Sequence, residues 1–288
     1  MRILLTGANG QLGHDLISTK PENVEILPYD KESLDITDRD KTLSVISEQK
    51  PDVLINTAAY VRVDDAEDNA AEAFSINAVG VKNLVEACNK TGTLITHIST
   101  DYVFDGTKAP IPYNEDDIPN PLNTYGLSKF AGEMFVKNYA HNAYIIRTAS
   151  LYGKSGASGK GGNFVYTVLG RLLKNQTMKV VNDIYMSPTC TYNLAQEIWR
   201  VISEKKPNGL YHIVNDGYCS WFEFAKTISD LADIKGEIIP VSHTEYPSKA
   251  RRPLWSPLMS IKGITIASWE KALEFFLAEN MQAFCNEK

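Results

Sequence analysis

Tyr125 and Lys129 are the residues whose types and spacing most directly suggest chemistry. Positions i and i+4 of a helix share one face, so the phenol and the ammonium can act together. Hydride reduction of a ketone needs a proton at the oxygen, and a phenol with a pKa of about 10 handles that proton poorly at neutral pH. Lowering this pKa by about three units takes about 4 kcal/mol, which we expect the Lys129 ammonium and a partly desolvated pocket to supply. The same spacing is common in ordinary amphipathic helices, so its meaning depends on the surrounding elements.

A glycine-rich turn follows the first apolar run of the chain and precedes a helical pattern. Gly7, Gly10 and Gly13 form a G-x-x-G-x-x-G motif at this place. The first glycine permits a tight turn, the second lets backbone amides approach a pyrophosphate, and the third lets the helix pack closely on the strand. A turn without a ligand is disfavoured by this strand–loop–helix context. The motif therefore predicts a dinucleotide site.

Asp30 ends the second predicted strand, about 20 residues beyond the loop. A carboxylate at this place accepts hydrogen bonds from the adenosine ribose, which favours NAD. Lys31 follows directly and can meet a 2′-phosphate if Asp30 turns away, which favours NADP. Both NADH and NADPH therefore stay open as cofactors.

The order of apolar runs and helical patterns predicts an α/β protein. Predicted strands at 2–5, 24–28, 53–56, 94–99 and 144–148 alternate with predicted helices at 11–19, 41–49, 70–90 and 125–139. Such alternation is typical of a Rossmann-type, doubly wound parallel sheet. Two later runs, 178–181 and 210–214, are expected to return to this sheet. We predict a dinucleotide-binding domain of residues 1–152 plus 178–215, and a smaller substrate-binding lobe of 153–177 plus 216–288.

Thr100 and Asp101 follow the fourth predicted strand, at the edge where doubly wound sheets bind ligands. The Thr100 hydroxyl can hydrogen-bond and polarise a substrate carbonyl group, and Asp101 can accept a hydrogen bond from a sugar hydroxyl. A simple turn at the strand end is the alternative, and the two residues alone do not decide between them.

Composition excludes several classes of partner. The chain of 288 residues carries a formal net charge of −6 and no long run of Lys or Arg, which argues against nucleic acid. It contains no apolar stretch of about 18 residues, so we predict a cytoplasmic protein without a membrane segment. The four cysteines are scattered and have no ligand spacing, so no metal site is predicted.

Several motifs in fixed order carry a resemblance to a known family. They are the glycine motif, Asn56-Thr57-Ala58-Ala59-Tyr60, Ser99-Thr100-Asp101-Tyr102-Val103-Phe104, Tyr125-x-x-x-Lys129 and Ala250-Arg251-Arg252-Pro253. Together they resemble the extended short-chain dehydrogenase/reductase superfamily and, within it, the dTDP-4-dehydrorhamnose reductases, along nearly the whole chain. The resemblance implies NAD(P)H-dependent reduction of the C4 ketone of dTDP-6-deoxy-L-lyxo-4-hexulose to dTDP-L-rhamnose, the last step of dTDP-rhamnose synthesis for cell-surface polysaccharide.

The resemblance also implies a role for each matching residue. Catalysis falls to Thr100, Tyr125 and Lys129. The residues implied to bind the cofactor are Gly7, Asn9, Gly10, Gln11, Leu12, Gly13, Asp30, Asp35, Ile36, Ala58, Ala59, Tyr60, Tyr125 and Lys129. The residues implied to bind the dTDP-sugar are Thr100, Asp101, Asn163, Phe164 and Arg252, whose guanidinium can pair with a diphosphate.

Two positions qualify the resemblance. The family often has Trp where this chain has Ser150, so the apolar wall of the sugar pocket differs. Some relatives form homodimers through a divalent metal held by an acidic residue just after the glycine loop. Asp15 stands there, but stabilisation of its helix by the macrodipole is the preferred interpretation, and a homodimer stays open.

Three alternatives share the fold. A sugar-nucleotide 4,6-dehydratase is disfavoured because that family typically has Glu where this chain has Tyr102. A 4-epimerase would use the same catalytic trio. A non-catalytic regulatory subunit of the kind that binds methionine adenosyltransferase resembles the same family, and copurification without turnover would identify it.

Overall fold

The computed structural model describes residues 1–156, 162–246 and 248–286, with the side chains of the last stretch described to residue 282. The strands are β1 (Arg2–Thr6), β2 (Glu25–Tyr29), β3 (Val53–Asn56), β4 (Leu94–Thr100), β5 (Ala143–Thr148), β6 (Leu151–Tyr152), β7 (Met178–Val181), β8 (Tyr185–Met186), β9 (Thr189–Cys190), β10 (Gly209–His212), β11 (Cys219–Ser220) and β12 (Ile238–Val241). The α-helices are α1 (Gln11–Ser18), α2 (Arg39–Gln49), α3 (Val63–Ala66), α4 (Ala70–Phe74), α5 (Val81–Thr91), α6 (Thr124–Tyr139), α7 (Phe164–Leu172), α8 (Thr191–Ser203), α9 (Trp221–Leu231) and α10 (Trp269–Asn286).

The central sheet has six strands in the order β10-β5-β4-β3-β1-β2, and every neighbouring pair is parallel. The chain moves outward from β1 to β2 and then crosses back to β3 on the other side of β1. This reversal is the switch point at which doubly wound sheets open a crevice at the carboxyl ends of their strands. The predicted Rossmann-type parallel sheet is thus confirmed, with each of the first five strands in its expected place.

Alternate residues of the strands feed two hydrophobic cores, one on each face of the sheet. Ile3, Leu5 and Ile55 pack with apolar residues of α1 and α8. Leu4 and Leu54 point the other way and pack with α2 and α5. Because both faces are covered by helices, the strands consist largely of apolar residues, as parallel strands must.

The later part of the chain forms a smaller unit around its own core. This core joins α7, α9 and α10. The strand at 210–214 returns to the central sheet as expected, since β10 pairs with β5. The expectation for 178–181 was wrong, because β7 pairs with β12 in a separate two-stranded sheet. Strand propensity sets where a strand forms but not which strand it pairs with, and here β7 and β12 both pack on α9. The domain boundaries drawn from the sequence stay predictions.

A buried ion pair fixes α6 to the central sheet. The Arg147 guanidinium donates from Nε to Glu133 Oε1 at 2.9 Å and from Nη2 to Glu133 Oε2 at 2.7 Å. Both side chains are almost fully buried. Glu133 lies one turn after Lys129 on α6, and Arg147 lies on β5, so the pair sets the position of the helix that carries the catalytic candidates.

Arg147→Met is expected to lower the free energy of unfolding by about 3–5 kcal/mol, because it leaves the Glu133 carboxylate buried without a partner. Urea denaturation followed by circular dichroism measures the change. The double variant Glu133→Leu/Arg147→Met removes both charges and should recover most of the loss. A cost below about 1 kcal/mol for the single variant would show that the pair does not hold α6.

None of the helices in the described part of the chain has both the length and the apolar character needed to cross a bilayer.

Candidate active site

A cleft of about 810 Å³ opens at the carboxyl ends of the central strands. Its size suits a bound organic ligand. Sixteen of the residues predicted from the sequence line it, namely Gly7, Asn9, Gly10, Gln11, Leu12, Asp30, Asp35, Ile36, Ala58, Ala59, Thr100, Asp101, Tyr125, Lys129, Asn163 and Phe164. Three others, Gly13, Tyr60 and Arg252, do not line it. The structure therefore brings most of the predicted residues together, while their roles in binding stay predictions.

The glycine loop fits a dinucleotide. Gly7 has a left-handed backbone with φ of 72°, and a Cβ added there would lie 2.6 Å from the backbone nitrogen of Ala58. A Cβ at Gly13 would lie 2.6 Å from the carbonyl oxygens of Ala8 and Gly7, so this glycine acts by packing α1 against the loop. Helix α1 starts after Gly10, which as a glycine has no side chain to cap the first amides. These amides and the positive end of the helix can receive a phosphate group.

Asp30 lies at the end of β2 with its carboxylate held in place. Ser33 donates to Asp30 Oδ1 from its backbone nitrogen at 2.9 Å and from its hydroxyl at 2.7 Å. Asn9 Nδ2 donates to Asp30 Oδ2 at 2.9 Å. Hydrogen bonds from Ser33 hold the pKa of this carboxyl below its usual value. Asp30 is therefore an ionised, oriented acceptor at the place where the adenosine ribose is expected, and Lys31 lines the same end of the cleft.

Lys129 is buried beneath the centre of the cleft. Its Nζ donates to the carbonyl oxygen of Ile98 at 2.6 Å. Burial lowers the pKa of this ammonium to about 8, against an opposing effect of the Glu133 carboxylate. An amine that titrates this close to neutrality can exchange a proton with its surroundings.

The phenol of Tyr125 lines the cleft beside Thr100 and is partly buried. Burial raises the pKa of Tyr125 above its usual value, and the Thr100 hydroxyl is the neighbour that lowers it. The expectation that the Lys129 ammonium would lower this pKa was wrong for the chain alone, because Lys129 is engaged by Ile98 and contributes no resolved effect. Tyr125 is therefore neutral and protonated at physiological pH, as a proton donor in a reduction has to be.

Asp101 lies in a short 3-10 turn after β4 and is 3% exposed. Thr100 Oγ1 donates to its Oδ1 at 3.1 Å, and Ser256 Oγ donates to its Oδ2 at 2.6 Å. Burial raises the pKa of Asp101 to about 6, although both hydrogen bonds oppose the increase. Both carboxyl oxygens thus already have protein partners, and Ser256 is a contact that sequence reasoning did not find.

Asn77 is another residue that the sequence did not single out. It lies in a π-helical turn, Ser75–Gly80, that interrupts the single helix expected at 70–90. Its Nδ2 donates to Ser128 Oγ at 2.9 Å and to the carbonyl oxygen of Tyr60 at 3.1 Å. Tyr60 returns a bond from its backbone nitrogen to Asn77 Oδ1 at 2.8 Å. Asn77 therefore fixes α6 between its two catalytic candidates, and π-helical turns are often found at functional sites.

Arg252 pairs with an aspartate instead of facing the cleft. Its Nη2 lies 2.7 Å from Asp64 Oδ2, and the Ala250 backbone nitrogen donates to Asp64 Oδ1 at 3.0 Å. Asn123, which caps α6, donates to the carbonyl oxygen of Arg251 at 2.8 Å. These contacts attach the segment around residue 251 to α3 and to the start of α6.

Part of the cleft lining is aromatic. Phe164 and Trp221 both line the cleft, with ring centroids 4.7 Å apart and an edge-to-face arrangement. Asn163 caps α7 and donates to the carbonyl oxygen of Gly153 at 2.7 Å and to Gln11 Oε1 at 3.2 Å. Ser150 also lines the cleft, in a left-handed conformation with φ of 45°. The indole of Trp221 thus supplies an aromatic surface in the cleft that Ser150 also lines.

Asp15 is not in a cluster suited to a metal ion. The macrodipole interpretation was wrong, since Asp15 lies beyond the first turn of α1. Its carboxylate instead accepts a hydrogen bond from the Thr191 hydroxyl at the start of α8. The described residues contain no group of three or more His, Cys, Asp or Glu side chains able to hold a metal.

Comparison with known proteins gives a consistent result. The family described as the RmlD substrate binding domain matches residues 1–282. A dTDP-4-dehydrorhamnose reductase of Aggregatibacter actinomycetemcomitans is 38% identical, over 95% of this chain and 97% of the relative. The spore coat polysaccharide biosynthesis protein SpsK of Bacillus subtilis is 36% identical, over 98% of this chain and 99% of the relative.

Solved structures agree. The dTDP-4-dehydrorhamnose reductase of Bacillus anthracis in complex with NADP superposes with a TM-score of 0.91 at 41% identity, over 96% of this chain and 99% of that one. The UDP-glucose 4-epimerase of Thermus thermophilus has a TM-score of 0.82 at 17% identity over 98% of this chain and 100% of that one, which shows a shared fold alone. With the matching family extending over nearly the whole length of a Rossmann-type chain, the protein belongs to the RmlD substrate-binding family.

Proposed function

We propose that this chain is an NAD(P)H-dependent reductase that converts dTDP-4-dehydrorhamnose to dTDP-L-rhamnose. The observation that carries the proposal is one continuous cleft that joins the glycine loop to Thr100, Tyr125 and Lys129. Relatives named dTDP-4-dehydrorhamnose reductase, and the NADP complex of one of them, support this substrate and cofactor.

The residues divide the work of a carbonyl reduction. When bound, the dihydronicotinamide supplies the hydride that reduces the ketone carbon. Tyr125 donates its phenol proton to the ketone oxygen, which becomes the C4 hydroxyl. Thr100 donates a hydrogen bond to the same oxygen and stabilises the negative charge that develops there. Lys129 stays fixed by Ile98 and, with its pKa lowered to about 8, can return a proton to the phenolate that is left.

Thr100→Val is expected to lower kcat by about 10²-fold, because it removes a hydrogen-bond donor that acts on the developing charge while keeping the shape of the side chain. Steady-state oxidation of NADPH with dTDP-4-dehydrorhamnose measures the effect. Thr100→Ser keeps the hydroxyl and should retain most of the activity. Equal rates for the Val and Ser variants would contradict a catalytic role for the hydroxyl.

The proposed reaction is tested by adding dTDP-4-dehydrorhamnose to the purified chain with NADPH or NADH. Loss of absorbance from the reduced cofactor, together with dTDP-L-rhamnose identified by mass spectrometry and NMR, is the expected result. Inversion at C4 without net oxidation of cofactor would instead identify a 4-epimerase. Cofactor binding without turnover, together with copurification of another enzyme, would identify a regulatory subunit.

A further inference from the structure

Three side chains form a path of hydrogen bonds from the C-terminal part of the chain to Thr100, which lies beside the phenol of Tyr125. Ser256 Oγ donates to Asp101 Oδ2 at 2.6 Å, and Asp101 Oδ1 contacts Thr100 Oγ1 at 3.1 Å. Thr100 in turn is the neighbour that lowers the pKa of the Tyr125 phenol. Ser256, Asp101 and Thr100 are each at least nine-tenths buried, so solvent does not compete for these contacts.

The hydroxyl of Thr100 has a single hydrogen and two lone pairs. One lone pair accepts from the Tyr102 backbone nitrogen at 3.2 Å. If Asp101 is ionised, it can only accept, so the hydrogen of Thr100 points to Asp101 and is withheld from the phenol and the ketone. If Asp101 is protonated, it donates to the second lone pair of Thr100, whose hydrogen is then free to point into the cleft.

Ser256 determines which oxygen of Asp101 carries the proton. Its hydroxyl donates to Oδ2 at 2.6 Å, and its other acceptor, the carbonyl oxygen of Tyr185, lies farther away at 3.4 Å. Oδ2 is therefore occupied as an acceptor, and a proton on the carboxyl is placed on Oδ1, facing Thr100.

We propose that Asp101 and Ser256 are positioning residues for the reduction: protonation of Asp101 on Oδ1 turns the Thr100 hydroxyl towards the reacting oxygen, and Ser256 keeps that proton on the correct side. This inference rests on the proposed function and adds a pH-dependent control of its donor. The step transfers no proton between residues. It reverses the direction of existing hydrogen bonds when Asp101 takes a proton from solvent.

The groups that face Asp101 come from three elements. The backbone amides of Asp101 and Tyr102 lie near the carboxyl within its own turn and favour its ionised form. Tyr125 faces it from α6, and Ser256 faces it from the C-terminal segment. The phenol of Tyr102 interacts with the charge of Asp101 and with the charges of the Arg252–Asp64 pair. Burial outweighs the hydrogen bonds and raises the pKa of Asp101 to about 6. The Thr100 hydroxyl is therefore expected to change direction within an accessible pH range.

The titration of Asp101 is tested by ¹³C NMR on protein labelled at the Asp side-chain carboxyls. The resonance that Asp101→Asn removes should titrate near pH 6. Ser256→Ala should move this titration to higher pH, because the lost hydrogen bond stabilised the ionised form. Ser187→Ala is the matched control, since Ser187 is equally buried but donates to the carbonyl oxygen of Gly217. It should leave the titration in place.

The coupling to the phenol is tested by the ¹³Cζ resonance of Tyr125. In the wild-type chain, the chemical shift of this resonance should change with pH as Asp101 titrates. In Thr100→Val, this change should be absent. For turnover, kcat/KM should fall about tenfold per pH unit above the Asp101 pKa, since kcat/KM reports the free enzyme. Asp101→Asn should remove this slope, because its amide donates to Thr100 at every pH. Ser256→Thr keeps the hydroxyl that Ser256→Ala removes, so it should show the wild-type pH profile.

Three results would overturn the inference: an Asp101 resonance that does not titrate between about pH 5 and 8, a Tyr125 resonance independent of it, or a slope that survives in Asp101→Asn. Absence of turnover in the wild-type chain at every pH would instead contradict the proposed function. The two NMR titrations would still decide whether Asp101 controls Thr100.

Discussion

Tyr125→Phe is expected to lower kcat by about 10³-fold, because it removes the group that delivers a proton to the ketone oxygen. The ring of Tyr125 packs against Tyr102 with centroids 5.9 Å apart, so phenylalanine keeps the shape of the cleft. Binding of NADPH, measured by its fluorescence, should change less than about threefold, since one hydrogen bond in a large interface is lost. Stopped-flow absorbance gives the rate of the chemical step.

Tyr144→Phe is the matched control for this variant. It makes the same change on β5, where the phenol donates to the carbonyl oxygen of Lys206 at 2.7 Å and lies outside the cleft. It should turn over like the wild-type chain. If Tyr125→Phe retained near-full activity, the assignment of Tyr125 as the proton donor would be wrong.

Gly7→Ala is expected to weaken dinucleotide binding by about 10²-fold. Gly7 has φ of 72°, and the added methyl group would lie 2.6 Å from the Ala58 nitrogen and 2.8 Å from the Thr57 hydroxyl. Strain and overpacking each cost of the order of 1–3 kcal/mol, and relieving them has to move the loop that would contact the phosphates. A loss of about 2.7 kcal/mol corresponds to the stated change in Kd, which isothermal titration calorimetry measures.

Gly92→Ala separates the strain from the clash. Gly92 ends α5 with φ of 73°, nearly the same as Gly7, but a Cβ there has no described atom within 4 Å. This variant should lose about 1 kcal/mol of stability and leave the Kd for NADPH unchanged. A similar Kd for both variants and the wild-type chain would show that the close approach of Gly7 to residues 57 and 58 is not needed for binding.

The parts of the fold and site that are local in sequence were predictable. The strand, glycine loop and helix at 2–18 form one contiguous unit, and periodicity determines them. Tyr125 and Lys129 are four residues apart on α6, so their shared face followed from helical geometry. The place of Thr100 at the end of β4 followed from the rule that parallel strands present their carboxyl ends at one edge.

The parts that depend on distant contacts were not predictable. Nothing local to Ser256 indicates that it reaches Asp101, because that contact is made by folding the C-terminal segment over the end of β4. The same holds for Arg252. Its guanidinium is chemically suited to a diphosphate, but in the folded chain it contacts Asp64, which is distant in sequence. The π-helical turn around Asn77 has a helical sequence pattern and differs from an α-helix by its tertiary packing.

The contact between Ser256 and Asp101 spans 155 positions of the chain. Contacts of such long range form late, because the entropy of closing a long loop has to be overcome first, and a chain is synthesised from its N-terminus. The glycine loop and the first strands are complete in sequence long before residue 256 is made. During biosynthesis, therefore, the means to hold a cofactor exist before the means to orient the Thr100 hydroxyl, and the maturing molecule gains its chemical competence last.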